Sequence, residues 1–349
     1  MKKLFGLLFA FHFSLFTFAQ QSRYSCYPTH WFTGMKWNKV QVMVQGEKIA
    51  DNSPMVKMGP KGMSLAKGVN LIKINRVENP NYIFLDLVID ATAKPGRIEF
   101  PFVKGINFTY ELKARRVGNG TDYAQGVTSR DLIYLIMPDR FSNGDETNDR
   151  VAGMRDQTLR RDTVFNRHGG DLKGIQNHLA YLDELGVTTL WLNPVLENDM
   201  PNRTEHGYAF TNHYKVDPRL GGEKAYRELI DAVHKKGMKM IQDAVYNHVG
   251  LYHHTVQDLP MKDWLHQWNS YTNTHYKDQV LFDPYASKKD YKIMGDGWFT
   301  KEMPDLNQDN PFVANFLIQH ALWTVEEFGI DGWRIDTYAY NDLNFMNKC

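Results

Sequence analysis

The feature that most constrains the fold is a change of hydrophobic period about a third of the way along the chain. Before it, apolar residues recur at every second position. Ile98, Phe100 and Phe102 alternate with Arg97, Glu99 and Pro101, and Phe108, Tyr110 and Leu112 alternate with Thr109, Glu111 and Lys113. Residues 40–44 and Tyr82–Ile89 read as further strands, with Gly46, Asn79-Pro80 and Pro95-Gly96 as turns. Short strands with frequent turn signals predict an N-terminal antiparallel β-sandwich over residues 20–116. Residues 117–129, with Gly118, Gly120 and Gly126, read as a linker.

From residue 130 to 349 the pattern is that of βα units. Residues 132–137 form a continuous apolar run, as expected of a strand buried on both faces. Ile175, Leu179 and Leu182 follow at helical spacing, stopped by Gly186, and Thr189–Leu192 is the next strand. A helix over 223–236, with Ala225, Leu229 and Val233 on one face, leads to a strand at 238–245. An irregular, aromatic-rich excursion over about 247–310 comes next. A helix carrying Val313, Leu317, Ala321 and Phe328 then feeds a strand at Gly332. Each strand ends on a polar group: Asp139, Asn193, Asp243 and Asp336. Parallel strands with polar C-terminal ends suit a barrel with its site in the βα loops. A doubly wound sheet would want a glycine-rich phosphate turn, and none of the four strands has one. The expected fold class is therefore α/β, the first half of a (β/α)8 TIM barrel with an excursion domain after its third strand.

Forty-one Lys and Arg against forty Asp and Glu leave a net charge of +1 and no basic run, which argues against nucleic acid or an anionic membrane as partner. Lys2 and Lys3 precede an apolar run that ends in Thr17-Phe18-Ala19, the order of a secretory signal over 1–19. With that segment cleaved no membrane span is expected, and the mature chain is placed in the periplasm or outside the cell. Cys26 and Cys349 are the only cysteines and imply no disulfide framework.

Four stretches carry chemistry. In Gly332-Trp333-Arg334-Ile335-Asp336, Arg334 and Asp336 share one strand face, so the guanidinium can hold the carboxylate ionised and oriented. An ordinary ion pair at a strand end has the same appearance. Asp243-Ala244-Val245-Tyr246-Asn247-His248 ends the third strand, and His248 can either hydrogen-bond a sugar hydroxyl or tie down its loop. His206-Gly207-Tyr208 offers an exposed ring after the second strand. The loop over 140–149 crowds oxygen ligands together, which suits a hard cation or a solvated acidic turn.

Together these stretches resemble the alpha-amylase family of retaining glycosidases, glycoside hydrolase family thirteen. The Asp243 to His248 stretch resembles its first conserved region and the Arg334-Asp336 stretch the region of the nucleophile. Met303-Pro304-Asp305-Leu306-Asn307 is similar to the signature of the neopullulanase, cyclomaltodextrinase and maltogenic amylase branch, whose extra N-terminal domain the sandwich also resembles. The resemblance implies Asp336 as nucleophile, Arg334 as its orienting partner, Asp243 and His248 around the bond cleaved, and Tyr208 stacked on the sugar. It implies calcium held by Asn143, Asp145, Asn148, Asp149, Gly169 and Asp171. The partner it implies is an α-glucan oligosaccharide, and a homodimer of the full-length parent is compatible with it.

One departure qualifies these expectations. The family's general acid is a Glu after the fifth strand, with a further Asp after the seventh, and the sequence ends at Cys349 in the fourth βα unit. The chain is thus expected to lack the acid and, by itself, not to hydrolyse glycosides. A carbohydrate-binding protein without turnover and an α-glucan transglycosylase are the competing readings.

Overall fold

The computed structural model describes residues 24–52, 62–100 and 108–349. The segment read as a signal and Phe102 lie outside the described residues.

The N-terminal region has eight strands: β1 (Tyr24–Tyr27), β2 (His30–Thr33), β3 (Lys39–Gly46), β4 (Met63–Ala66), β5 (Val69–Arg76), β6 (Tyr82–Ile89), β7 (Gly96–Phe100) and β8 (Phe108–Ala114). They make a five-stranded sheet in the order β1-β3-β6-β5-β4 and a three-stranded sheet in the order β2-β8-β7. The alternation in β8 reports its two environments. Phe108, Tyr110 and Leu112 are buried, while Thr109 and Glu111 are exposed. The expected antiparallel pairing needs one correction: β2 runs parallel to β8, with Trp31 opposite Leu112. These strands are some eighty residues apart in sequence, so no turn signal could report their direction.

β6 breaks alternation because both its faces are covered. Tyr82, Ile83, Phe84, Leu85, Leu87 and Ile89 are all buried, and Phe84 packs on Phe312 with ring centroids 4.7 Å apart. Burying each of these side chains contributes about 1.5–3 kcal/mol. Phe312 belongs to the helix Pro311–Phe328, on which the sandwich rests. That helix starts where the Asn310 side chain accepts the Phe312 N–H, has Pro311 in its first turn, and stops at Gly329 with φ +77°.

Four strands form the second region: β9 (Ile133–Ile136), β10 (Thr189–Leu192), β11 (Lys239–Ala244) and β12 (Gly332–Ile335). All pair in parallel, in the order β12-β11-β10-β9. The helix Gly222–Lys235 packs Tyr226, Leu229, Ile230 and Val233 inward and delivers the chain to β11. Two expectations are corrected. β9 is an edge strand rather than one buried on both faces, with Ile133 and Leu135 exposed. The helical segment before β10 is broken at His178 into Leu172–Asn177 and Leu179–Glu184, where the imidazole Nδ1 lies 2.8 Å from the Gly174 carbonyl.

The segment read as a linker is pinned to the second region. Ala124 and Gly126 donate backbone N–H groups to Ile330 and Asp331, and buried Tyr123 donates its hydroxyl to Glu326 at 3.3 Å. Polar clasps join the two regions as well. Gln41 and Gln319 exchange two hydrogen bonds, at 2.6 and 2.8 Å. Buried Glu327 pairs with His30 at 2.8 Å, Lys113 at 3.1 Å and Arg227 at 2.5 Å. Among the described residues no helix is long and apolar enough to cross a membrane.

Candidate active site

The site is built at the C-terminal edge of the parallel sheet. In register, Asp243 on β11 stands beside Arg334 on β12. One guanidinium nitrogen of Arg334 donates to Asp336 at 2.7 Å and to both oxygens of Asp243 at 3.1 Å. Asp336 follows β12 and anchors through its own N–H to the Ala244 carbonyl at 2.8 Å. The next residue, Thr337, has φ +46°, the left-handed region that a β-branched side chain rarely adopts. Backbone strain of this kind clusters at functional sites, and here it turns the chain sharply beyond the carboxylate.

Asp243 is buried and accepts two further hydrogen bonds, from Trp191 Nε1 at 3.0 Å and from the Tyr208 hydroxyl at 2.9 Å. Burial raises its carboxyl above the usual range, against the charge of Arg334 and the donors on Trp191 and Tyr208. Burial works against the charge of Arg334, and Asp243 and Asp336 more than restore it. The guanidinium also lies over the Trp191 ring, 4.9 Å from its centroid.

Tyr208 is half-buried rather than exposed, because its hydroxyl is tied to Asp243. Its position depends on Gly207, at φ +85°, where a Cβ would meet the Pro194 carbonyl oxygen at 2.2 Å. Asn193 fastens the same loop by donating to the His206 carbonyl. His248 is fully buried, stacks on Phe299 at 5.0 Å, and has no partner at Nε2. Burial, with His206 nearby, pushes it down to about 3, so it is neutral at physiological pH. Asp243, Arg334, Asp336 and Tyr208 therefore form one hydrogen-bonded cluster, and His248 sits beyond the end of β11. A cavity of about 540 Å³, bordered by Asn247, Asp305, Tyr338 and Tyr340, adjoins the loop after β11 but is lined by none of these five residues.

Trp191 is the member of the cluster that the sequence reading passed over, as one apolar residue in a strand. Asp139, the polar end of β9, is scaffolding: it takes the N–H groups of His168 and Gly169 and pairs with Arg140.

The oxygen-rich loop closes on Asp171. Its two oxygens accept from the backbone N–H groups of Gly144, Asp145 and Gly174 and from the Asn148 amide. Asp145 caps the short helix Glu146–Asn148, and Asn143 donates to Asp149 at 2.7 Å. Gly169 closes the ring at φ +83°, where a Cβ would stand 2.7 Å from Asp149. Among the described residues no group of three or more His, Cys, Asp or Glu is arranged to hold a metal, so a cation here would draw on at most two of the Asp carboxylates at once and on Asn and main-chain oxygens for the rest. Asn148 Oδ1 is such an oxygen, buried and without a partner.

Comparison with known proteins follows the same division of the chain. The alpha amylase catalytic domain family matches residues 135–346, and the cyclomaltodextrinase N-terminal family matches residues 25–116. Neopullulanase 2 of Thermoactinomyces vulgaris is 33% identical over 222 residues, which cover 62% of this chain and 35% of that protein. A cyclomaltodextrinase of Thermoanaerobacter pseudethanolicus is 32% identical over 235 residues, covering 65% of this chain and 37% of that protein. The crystal structure of an Anoxybacillus alpha-amylase superposes with a TM-score of 0.51 at 33% identity, over 62% of this chain and 43% of that one. The chain spans about a third of the length of the curated relatives it matches. With more than half of its residues matched by the catalytic domain and most of the rest by the N-terminal one, the chain belongs to the alpha-amylase family.

Proposed function

We propose that the protein carrying this chain is a retaining α-glucan hydrolase acting on starch oligosaccharides, pullulan or cyclodextrins. The observation that supports this reading best is the single Arg334 guanidinium bridging Asp336 and Asp243 at the sheet's C-terminal edge. Asp336, half-buried with its side chain 14% exposed, is the nucleophile. Its carboxylate attacks the anomeric carbon as the glycosidic bond breaks, the leaving oxygen takes a proton from a general acid, and water then releases the glycosyl ester. Arg334 orients Asp336. Asp243 and His248 shape the subsite around the bond, and Tyr208, its hydroxyl engaged by Asp243, presents its ring to the sugar. Calcium held by Asn143, Asp145, Asn148, Asp149, Gly169 and Asp171 belongs to the same proposal. The ion would stabilise the loop and takes no part in the bond chemistry. Export of the mature chain to the periplasm or medium and a homodimer of the full-length parent complete it, to be tested by cell fractionation and light scattering.

The test is release of reducing ends from maltoheptaose, pullulan and β-cyclodextrin by the intact protein and its Asp336→Asn variant. The variant is expected to lose about 10⁴-fold or more in kcat. Retention of most of the activity would reject Asp336. Binding of the oligosaccharides without turnover would favour the silent binder, and longer oligosaccharide products would favour the transglycosylase. Residues 20–349 in the same assay test the expectation that the general acid lies outside them.

A further inference from the structure

The stretch Met303 to Asn307 has a physical task that its resemblance to a branch signature does not specify. It runs as the middle of three short extended segments. On one side Asp305 pairs antiparallel with His248, the Leu306 N–H donates to the Asn247 carbonyl at 2.8 Å, and the Val249 N–H donates to the Pro304 carbonyl at 3.3 Å. On the other side Leu306 pairs with Leu265, and the His266 N–H donates to the Asp305 carbonyl at 3.1 Å. The same stretch places the ring beneath His248, because Phe299 donates its N–H to the Met303 carbonyl at 3.2 Å and stacks on the imidazole. Both supports of His248, the main chain beside it and the ring beneath it, therefore hang on this one segment.

What fixes the segment is a side-chain pair. Asp305 is buried, and His266 Nδ1 lies 2.6 Å from its Oδ1, a charge-assisted hydrogen bond reaching across to the adjoining segment. Asp305 Oδ2 is buried, and the Asn247 side chain also acts on the carboxyl, lowering its proton affinity. Asp296 stands 3.8 Å from the other ring nitrogen of His266, and Asp309 adds a further negative charge near it. Burial alone would discharge the imidazole, yet these carboxylates raise its proton affinity. Burial raises Asp305 too, to about 7, with His266 opposing. At 2.6 Å a proton between them bonds one group to the other whichever of the two carries it.

We propose that Asp305, clamped by His266, is a positioning residue for His248, so that its loss costs substrate turnover through displacement of that imidazole. The inference rests on the assignment of His248 to the substrate subsite. The two nevertheless fail separately.

Asp305→Asn, His248→Gln and the double variant are compared for kcat/KM on maltoheptaose, together with the imidazole nitrogen spectrum of His248 in the absence of sugar. Asp305→Asn is expected to lower kcat/KM by about 10²-fold, the scale of an ångström-sized misplacement. In the His248→Gln background it should cost less than about threefold, because both variants then act on one interaction. Equal losses in both backgrounds would mean that Asp305 supports only the fold, and would overturn the proposal. The His248 resonances should shift in Asp305→Asn, and unchanged resonances would overturn it independently. If the unsubstituted protein shows no turnover, the proposed function fails and the spectrum alone decides. Should Asp305→Asn not fold, His266→Gln, which keeps the carboxylate and removes the imidazole, is read by the same two criteria.

Discussion

At the scale of single residues the site depends on how a buried carboxylate is kept charged. Asp243 has one cation and two neutral donors, and each acts against the desolvation that raises its pKa. Replacing Trp191 by Phe keeps the ring beneath Arg334 and removes the donor 3.0 Å from Asp243. A hydrogen bond to a charged group is worth about 1.5–3 kcal/mol. The sign follows directly. Loss of a donor raises the Asp243 pKa further, so the acid limb of the kcat/KM profile should move to higher pH in Trp191→Phe. An unmoved limb with reduced activity would mean that Asp243 is not the group titrating there. Trp191 was illegible in the sequence for a simple reason: a tryptophan in an apolar strand reads as core, and only the register with β11 brings its N–H to Asp243. Arg334 and Asp336 were legible because strand geometry alone puts residues two apart on one face.

At the scale of elements, the four parallel strands and the helices feeding them were legible from periodicity. What was not legible was which strand lies at an edge. The apolar run over β9 reads the same whether one face or two are covered, and Ile133 and Leu135, two apart and so on one face, are exposed because that face is not packed over among the described residues. The parallel β2–β8 pair was hidden because its partners are distant in sequence. The loop between β9 and the helix Leu172–Asn177 is the element on which the calcium proposal can be decided. If the loop binds calcium only when folded, chelation should lower the melting temperature of the protein, and Asp149→Ala should abolish the response. A melting curve that ignores chelator would leave a turn stitched by hydrogen bonds, chiefly those of Asp171, since that carboxylate already satisfies four N–H donors without an ion.

At the scale of the whole molecule, the sandwich and the parallel sheet are coupled through the helix Pro311–Phe328, and Glu327 is the most heavily bonded group in that contact. Burial would raise its pKa, but the hydrogen bonds from His30 and Lys113 and the charges of His30 and Arg227 bring it down to about 2. A depressed acid contributes stability at pH values above its unfolded value, near 4.5, and that contribution fades as the pH falls toward 2. Glu327→Gln should therefore destabilise the protein at pH 7, by about 1–3 kcal/mol, because Lys113 and Arg227 are partly exposed and stay solvated when the carboxylate is lost. The gap to the unsubstituted protein should narrow between pH 4.5 and 2 in denaturant titrations. A gap of constant size across that range would assign the loss to packing rather than charge.

The central claim is that Asp336 is the group that forms a covalent bond to the sugar. It is tested most directly by trapping. The intact protein is incubated with a fluorinated α-glucosyl fluoride that forms the glycosyl ester quickly and releases it slowly, then digested and mapped by mass spectrometry. The account predicts one glucosyl adduct per chain, on the peptide that contains Asp336 and absent from Asp336→Asn. An adduct on Asp243, or inactivation with Asp336 unmodified, would contradict it.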